Sequence, residues 1–155
     1  MGNRYRYGET SPREIPCALA QDVEAGDLIA LDTATLEKAS DETWDTDLAT
    51  TQENFHDKFA GVSAQRSRAT LDDADIRHST KGVHNFACAS ATFEIGTLVG
   101  PAKDSGDALL DGTVVAVATP NLAIGRVAKK YAAATTNVDV EITGVIAHGG
   151  PQAMA

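Results

Sequence analysis

Val138-Asp139-Val140-Glu141-Ile142 shows the cleanest alternation of apolar and acidic side chains in the chain. Successive side chains of a strand point to opposite faces. Val138, Val140 and Ile142 are therefore expected inward, and Asp139 and Glu141 toward water. Upstream lie other short segments of the same kind. Ile15, Cys17 and Leu19 alternate with smaller or polar residues, and Leu28-Ile29-Ala30-Leu31 is an apolar run ending at Asp32. Residues 59–64 read as a strand that ends at Arg66-Ser67-Arg68, and Ile76 opens another. Val83, Asn85 and Ala87 alternate against His84, Phe86 and Cys88. Residues 113–118 and 123–128 complete the series.

The punctuation between them is glycine-based. Glu24-Ala25-Gly26-Asp27, Lys81-Gly82, Ser105-Gly106-Asp107 and Asp111-Gly112 read as turns, and Pro101 is expected to close the segment 93–100. Gly61 and Gly125 sit inside strands, where glycine marks a bulge or a close backbone approach. One weak helix is expected near residues 47–55, capped by Thr46 or Asp47. It follows an acidic stretch, 40–54, in which Trp44 is expected to pin the loop to the body. Strands spaced 8–12 residues apart with a single helix indicate a mainly β fold, a small barrel or sandwich. No amphipathic crossover helix recurs, which disfavours a parallel α/β fold.

The chain has 155 residues, one domain's worth. We divide it into an extended N-terminal arm (1–16), a β-rich body (17–148) and an irregular tail (149–155). Aromatics make up only 5% of the chain against 43% hydrophobic residues overall, much of it alanine. A core of such small side chains gains little burial energy per residue, so association with further copies is expected. The net charge of −9 argues against nucleic acid or an anionic membrane as partner. No segment is apolar enough to span a membrane, the start MGNRYRYGE has no apolar leader core, and Arg6 breaks the myristoylation pattern. Cys17 and Cys88 show no CxxC spacing and read as two buried thiols.

No chemical constellation is legible. His56, His78, His84 and His148 lack HxxxH or HExxH spacing. The acidic runs at 41–47 and 72–75 lack the glycine and terminal glutamate of a calcium loop. GxSxG, Walker and GxGxxG motifs are absent. No catalytic residue, cofactor or metal is expected, and the chain reads as a non-enzyme. The arm carries the one candidate site. Arg4, Tyr5, Arg6, Tyr7, Pro12 and Arg13 combine extended backbone with the residue types enriched at interfaces. Alternation places Arg4 and Arg6 on one side, Tyr5 and Tyr7 on the other.

The order of short motifs resembles a known class. Residues 23–31 contain Gly-Asp-Leu-Ile-Ala-Leu, and 59–63 are Phe-Ala-Gly-Val-Ser. Gly82-Val83-His84-Asn85-Phe86, the segment 93–100 (FEIGTLVG), Ala123-Ile124-Gly125-Arg126-Val127 and a final alternating strand follow. Over residues 15–147 this resembles the small capsid decoration, or cement, proteins of tailed phages. The resemblance implies a β-barrel or β-tulip body, a trimer, and a partner in the major capsid protein on the outer surface of an HK97-like shell, assembled in the host cytoplasm. The arm and the acidic stretch depart from that family's compact core. The alternatives are another virion part, such as a head–tail or tail-tube protein, and a β-barrel binding module or enzyme.

Overall fold

The computed structural model describes residues 4–17, 22–68 and 75–146. The expectations for Leu19, Asp72, Asp73, His148 and the tail lie outside them. The chain runs through β1 (Arg4–Tyr7), β2 (Pro12–Pro16), β3 (Leu28–Asp32), β4 (Thr35–Lys38) and a 3-10 turn at Ala39–Asp41. Helix α1 (Leu48–Lys58), β5 (Phe59–Ser63), β6 (Asp75–Ser79), β7 (Lys81–Phe93), β8 (Leu98–Lys103) and β9 (Leu109–Ala116) follow. A second 3-10 turn at Pro120–Leu122, then β10 (Gly125–Val127) and β11 (Tyr131–Thr143), complete it.

Five strands close on themselves. Their order is β7-β11-β10-β8-β9, and β9 returns to β7 through a parallel pairing of Ala87 with Thr113 and Cys88 with Val114. Among the described residues the fold is thus mainly β, with a closed five-stranded barrel and one helix. A barrel this small has no lumen, because inward side chains fill it. Phe86, Phe93, Val99, Leu109, Val114, Val127, Val138, Val140 and Ile142 belong to that core, each at most 5% exposed.

The second sheet has the order β2-β6-β5-β3-β4. Its strands β3 and β5 are buried on both faces, which explains why β3 reads as an unbroken apolar run. Leu28 and Ala30 face the main core. Ile29 joins a smaller cluster with Cys17, Val23, Leu36, Ala60 and Ile76. In β5, Phe59 and Val62 face the first cluster and Ala60 the second. Cys17 and Cys88 are both buried, and no disulfide joins them.

Helix α1 starts where its cap requires: the Asp47 carboxylate accepts from the Thr50 amide at 2.8 Å, satisfying an amide the first turn leaves over. The same bond holds the Asp47 carboxyl below the usual range. The helix runs three residues beyond the expected end, because Phe55 and His56 are buried and anchor its last turns. Gln52 ties it to the barrel by donating to the Pro101 carbonyl at 2.7 Å. Trp44 is half-buried, with the Lys103 ammonium 5.3 Å from its ring centre.

Three glycine or proline signals behave differently from their reading as breaks. Lys81-Gly82 is the start of β7, with Gly82 at φ +107. Asp111-Gly112 lies inside β9, where the Asp111 carboxylate accepts from the Ser40 amide (2.7 Å) and hydroxyl (3.0 Å). Pro101 lies within β8, past the two residues of that strand that pair with β10, so its missing N–H interrupts no ladder on that side.

Candidate interface along the N-terminal strands

The arm is extended, and its own body receives it. β1 pairs with β7 (Arg4 opposite Asn85, Tyr5 opposite His84, Tyr7 opposite Val83). β2 pairs with β6, from Pro12 opposite Ser79 to Pro16 opposite Asp75. Because β6 runs into β7 through the corner at Thr80, residues 4–16 form one antiparallel ribbon along 75–85. That ribbon stitches the two sheets together. At the corner the Thr80 amide and the Lys81 amide both donate to the Thr10 carbonyl, at 2.9 and 3.3 Å. The Thr80 hydroxyl donates to the Ser11 carbonyl at 2.7 Å.

All six candidate residues fall on this ribbon and stay exposed. Tyr5 and Tyr7 are 50% and 54% exposed, among the few large apolar side chains left open in the described residues. The expected alternation holds where β1 is regular. Tyr5 stands edge-on to the His84 ring, 5.7 Å between centres, and its hydroxyl donates to the Gly8 carbonyl. Arg6 reaches the other way, to Asp139 at 3.7 Å. A register slip between Tyr5 and Tyr7 then interrupts the pattern. On β2, an Arg13 N–H donates to the Pro12 carbonyl at 3.1 Å, and Glu14 pairs with Arg77 at 3.3 Å.

Sequence alone gives the direction of Asp139 but not what covers it. It does point out of the barrel, but it is 2% exposed. Arg6 from β1, Lys129 (Nζ at 3.2 Å) and Asn85 (Nδ2 donating at 2.8 Å) cover it. A buried carboxylate needs such partners to offset its lost hydration. The Lys129 ammonium, bonded to Asp139 and near the Tyr131 ring, is held above the usual lysine range. Lys130 pairs with Glu94 at 3.1 Å. The signal for Asp139 was the basic arm itself, whose charge in an acidic protein implies a carboxylate beneath it. Replacing Asp139 with alanine should cost about 1–2 kcal/mol in urea unfolding and speed amide exchange in β1, since Asn85 loses its acceptor and Arg6 its anchor. An unchanged midpoint would show that the cover is ornamental.

A concavity of about 240 Å³ lies on the barrel wall between α1 and β10. Leu98, Pro120, Arg126 and Glu141 line it. His56 closes its floor, with Nδ1 bonded to the Ala123 carbonyl at 2.6 Å and the ring 2% exposed. A carbonyl only accepts, so Nδ1 carries the proton. Among the described residues, no three His, Cys, Asp or Glu side chains converge as metal ligands. No protein-family model, curated protein or solved structure matches this chain. Function therefore has to be argued from the residues.

Proposed function

We propose that the chain is a structural, non-catalytic capsid decoration protein, which binds the outer surface of an HK97-like phage shell of major capsid protein and stabilises it. The observation that carries this reading is the exposed Arg/Tyr ribbon along two sheet edges of an otherwise acidic, tightly filled barrel. Tyrosine and arginine give large contact area and charge-assisted hydrogen bonds on a rigid backbone. The edge strand β1 contains no proline, so its outer main-chain groups can pair with an extended segment of a partner. A homotrimer would repeat that weak contact three times, and linked contacts multiply in affinity. The order of glycine-punctuated strands that resembles decoration proteins supports the same reading. Assembly takes place in the host cytoplasm, and the acidic body faces solvent.

The test is electron microscopy of the purified protein mixed with shells of its own phage, with added density expected at local symmetry axes. Bare shells, or rings and tubes of the protein alone, would overturn the reading. The triple variant Arg4→Ala/Tyr7→Ala/Arg13→Ala leaves Tyr5 and Arg6 in place. It should fold normally and lose at least about tenfold in shell occupancy by co-sedimentation, roughly one hot spot's worth. Parent-like occupancy would remove the ribbon from the interface.

A further inference from the structure

We propose that the concavity between α1 and β10 is a binding site for a small neutral ring compound bearing a hydroxyl, with phenol as the minimal example, and that this hydroxyl donates to Nε2 of His56. This goes beyond shell binding and concerns the isolated protein.

The floor carries an unmet acceptor. His56 comes from the last turn of α1 with its ring buried, and its Nδ1 is committed to the Ala123 carbonyl. That bond leaves the lone pair of the neutral ring on Nε2, which has no hydrogen-bond partner among the described residues. A buried acceptor without a donor costs roughly 1–3 kcal/mol, and folded proteins carry few of them. Ring nitrogens of His78 and His84 are unpartnered too, but neither of those rings lines the concavity. Because the His56 ring is almost closed over, only a slender group such as a hydroxyl reaches Nε2.

The walls set the class of ligand. Leu98, Pro120 and Ile124 present apolar surface, which suits the body of a ring. Arg126 and Glu141 are exposed, direct cross-strand partners of opposite charge. They do not pair with each other; the Arg126 guanidinium donates to the Gly96 carbonyl at 3.0 Å. Their charges offset, so the pair favours neither anion nor cation, and a neutral donor meets Nε2 without burying a charge. The space of about 240 Å³ lies below the roughly 300 Å³ at which pockets for drug-sized ligands begin, which limits the occupant to about one ring. The site is also held ready. The Ile124 amide donates to the Val99 carbonyl at 2.8 Å and the Ala123 amide to the Pro120 carbonyl at 3.1 Å. These bonds keep the lining backbone from closing into the space, so binding requires little reordering.

Ligand titrations of the full parent chain, followed by amide and imidazole nitrogen NMR and without shells, decide the matter. Phenol should move the amides of residues 123–126. It should bind at least about tenfold more tightly than anisole, which keeps the ring and lacks the donor, a difference of one hydrogen bond. The His56 Nε2 resonance should move upfield with phenol, as the nitrogen gains a donor, and stay in place with anisole. Absence of phenol binding, equal affinities for the two compounds, or phenol binding with the Nε2 resonance unmoved would each overturn the proposal. N-acetyltyrosinamide separates two sources of the same chemistry. Binding comparable to phenol assigns the site to a tyrosine side chain of a partner, and its exclusion assigns the site to a free small molecule. Failure here leaves the shell-binding test untouched.

Discussion

Replacing Gly61 with alanine should cost about 4 kcal/mol, the largest loss expected from adding a single methyl group to this protein. Gly61 sits in β5 at φ +142, a conformation that side-chain-bearing residues rarely adopt. An added Cβ would lie 2.0 Å from the Ser79 carbonyl oxygen and 3.2 Å from the Thr80 Cα. Both neighbours are backbone, so no side chain can swing aside. Those atoms form the corner where β6 passes from the second sheet into the barrel. The end of β11 meets the same corner, with the Gly144 amide donating to the Thr80 carbonyl at 2.6 Å and the Val145 amide to Phe59 at 2.8 Å. Displacing β5 there separates the two sheets at their junction. The control is Gly106→Ala, whose Cβ would meet only the Asp104 side chain at 3.4 Å, and it should stay within about 0.5 kcal/mol of the parent. Equal urea midpoints for the two variants would contradict this account of the junction.

Acid should weaken the fold through one side chain by about 3 kcal/mol between pH 6.5 and pH 4. The cause is His84, whose burial pushes its pKa down to about 4, although a hydrogen bond to the Lys81 main chain works the other way. Tyr5 covers it from β1, Val140 stands opposite on β11, and Phe86 lies beyond on its own strand. In the unfolded chain the imidazole takes its proton near pH 6.5; in the folded chain it resists until about pH 4. The unfolded state therefore binds more protons across that window. The His84 contribution is whole above pH 6.5, declines as pH falls, and levels off below about pH 4. His78 adds to the same trend. Burial first, and then the Arg13 charge, lower its pKa. In His84→Phe, urea unfolding measured from pH 7 to pH 4 should show a slope shallower by about 1.4 kcal/mol per pH unit. A slope identical to the parent's would mean that His84 takes its proton in the fold at the same pH as in the unfolded chain.

How much of this was legible beforehand depends on what each residue's signal reports. Alternation at 138–142 reports which face meets the core, and Val138, Val140 and Ile142 are each fully buried. It does not report what covers the other face, so Asp139 read as solvent-facing although Arg6 and Lys129 cover it. The run Leu28-Ile29-Ala30-Leu31 reported a strand but not its burial on two sides. Thr35-Leu36-Glu37-Lys38 forms β4 without an apolar pattern, because only Leu36 is fully buried there. Gly82 and Gly112 reported conformational freedom, which serves a strand's irregularities as readily as a turn. The arm's six residues were found by type. Their common ribbon was not, since that depends on a partner strand far along the chain.

That last distance has a kinetic meaning. Thr80 meets the carbonyls of Thr10 and Ser11 across some 70 positions of sequence. β1 and β2 leave the ribosome well before the strands that receive them, and so wait to find a place. At ordinary elongation rates they wait roughly 4 to 14 seconds for residues 75–85 to be synthesised. Through that interval an Arg-Tyr-Arg-Tyr segment is exposed beside other nascent chains bearing the same segment. Polysomes, with neighbouring ribosomes at staggered stages of one message, would then be where copies first encounter one another.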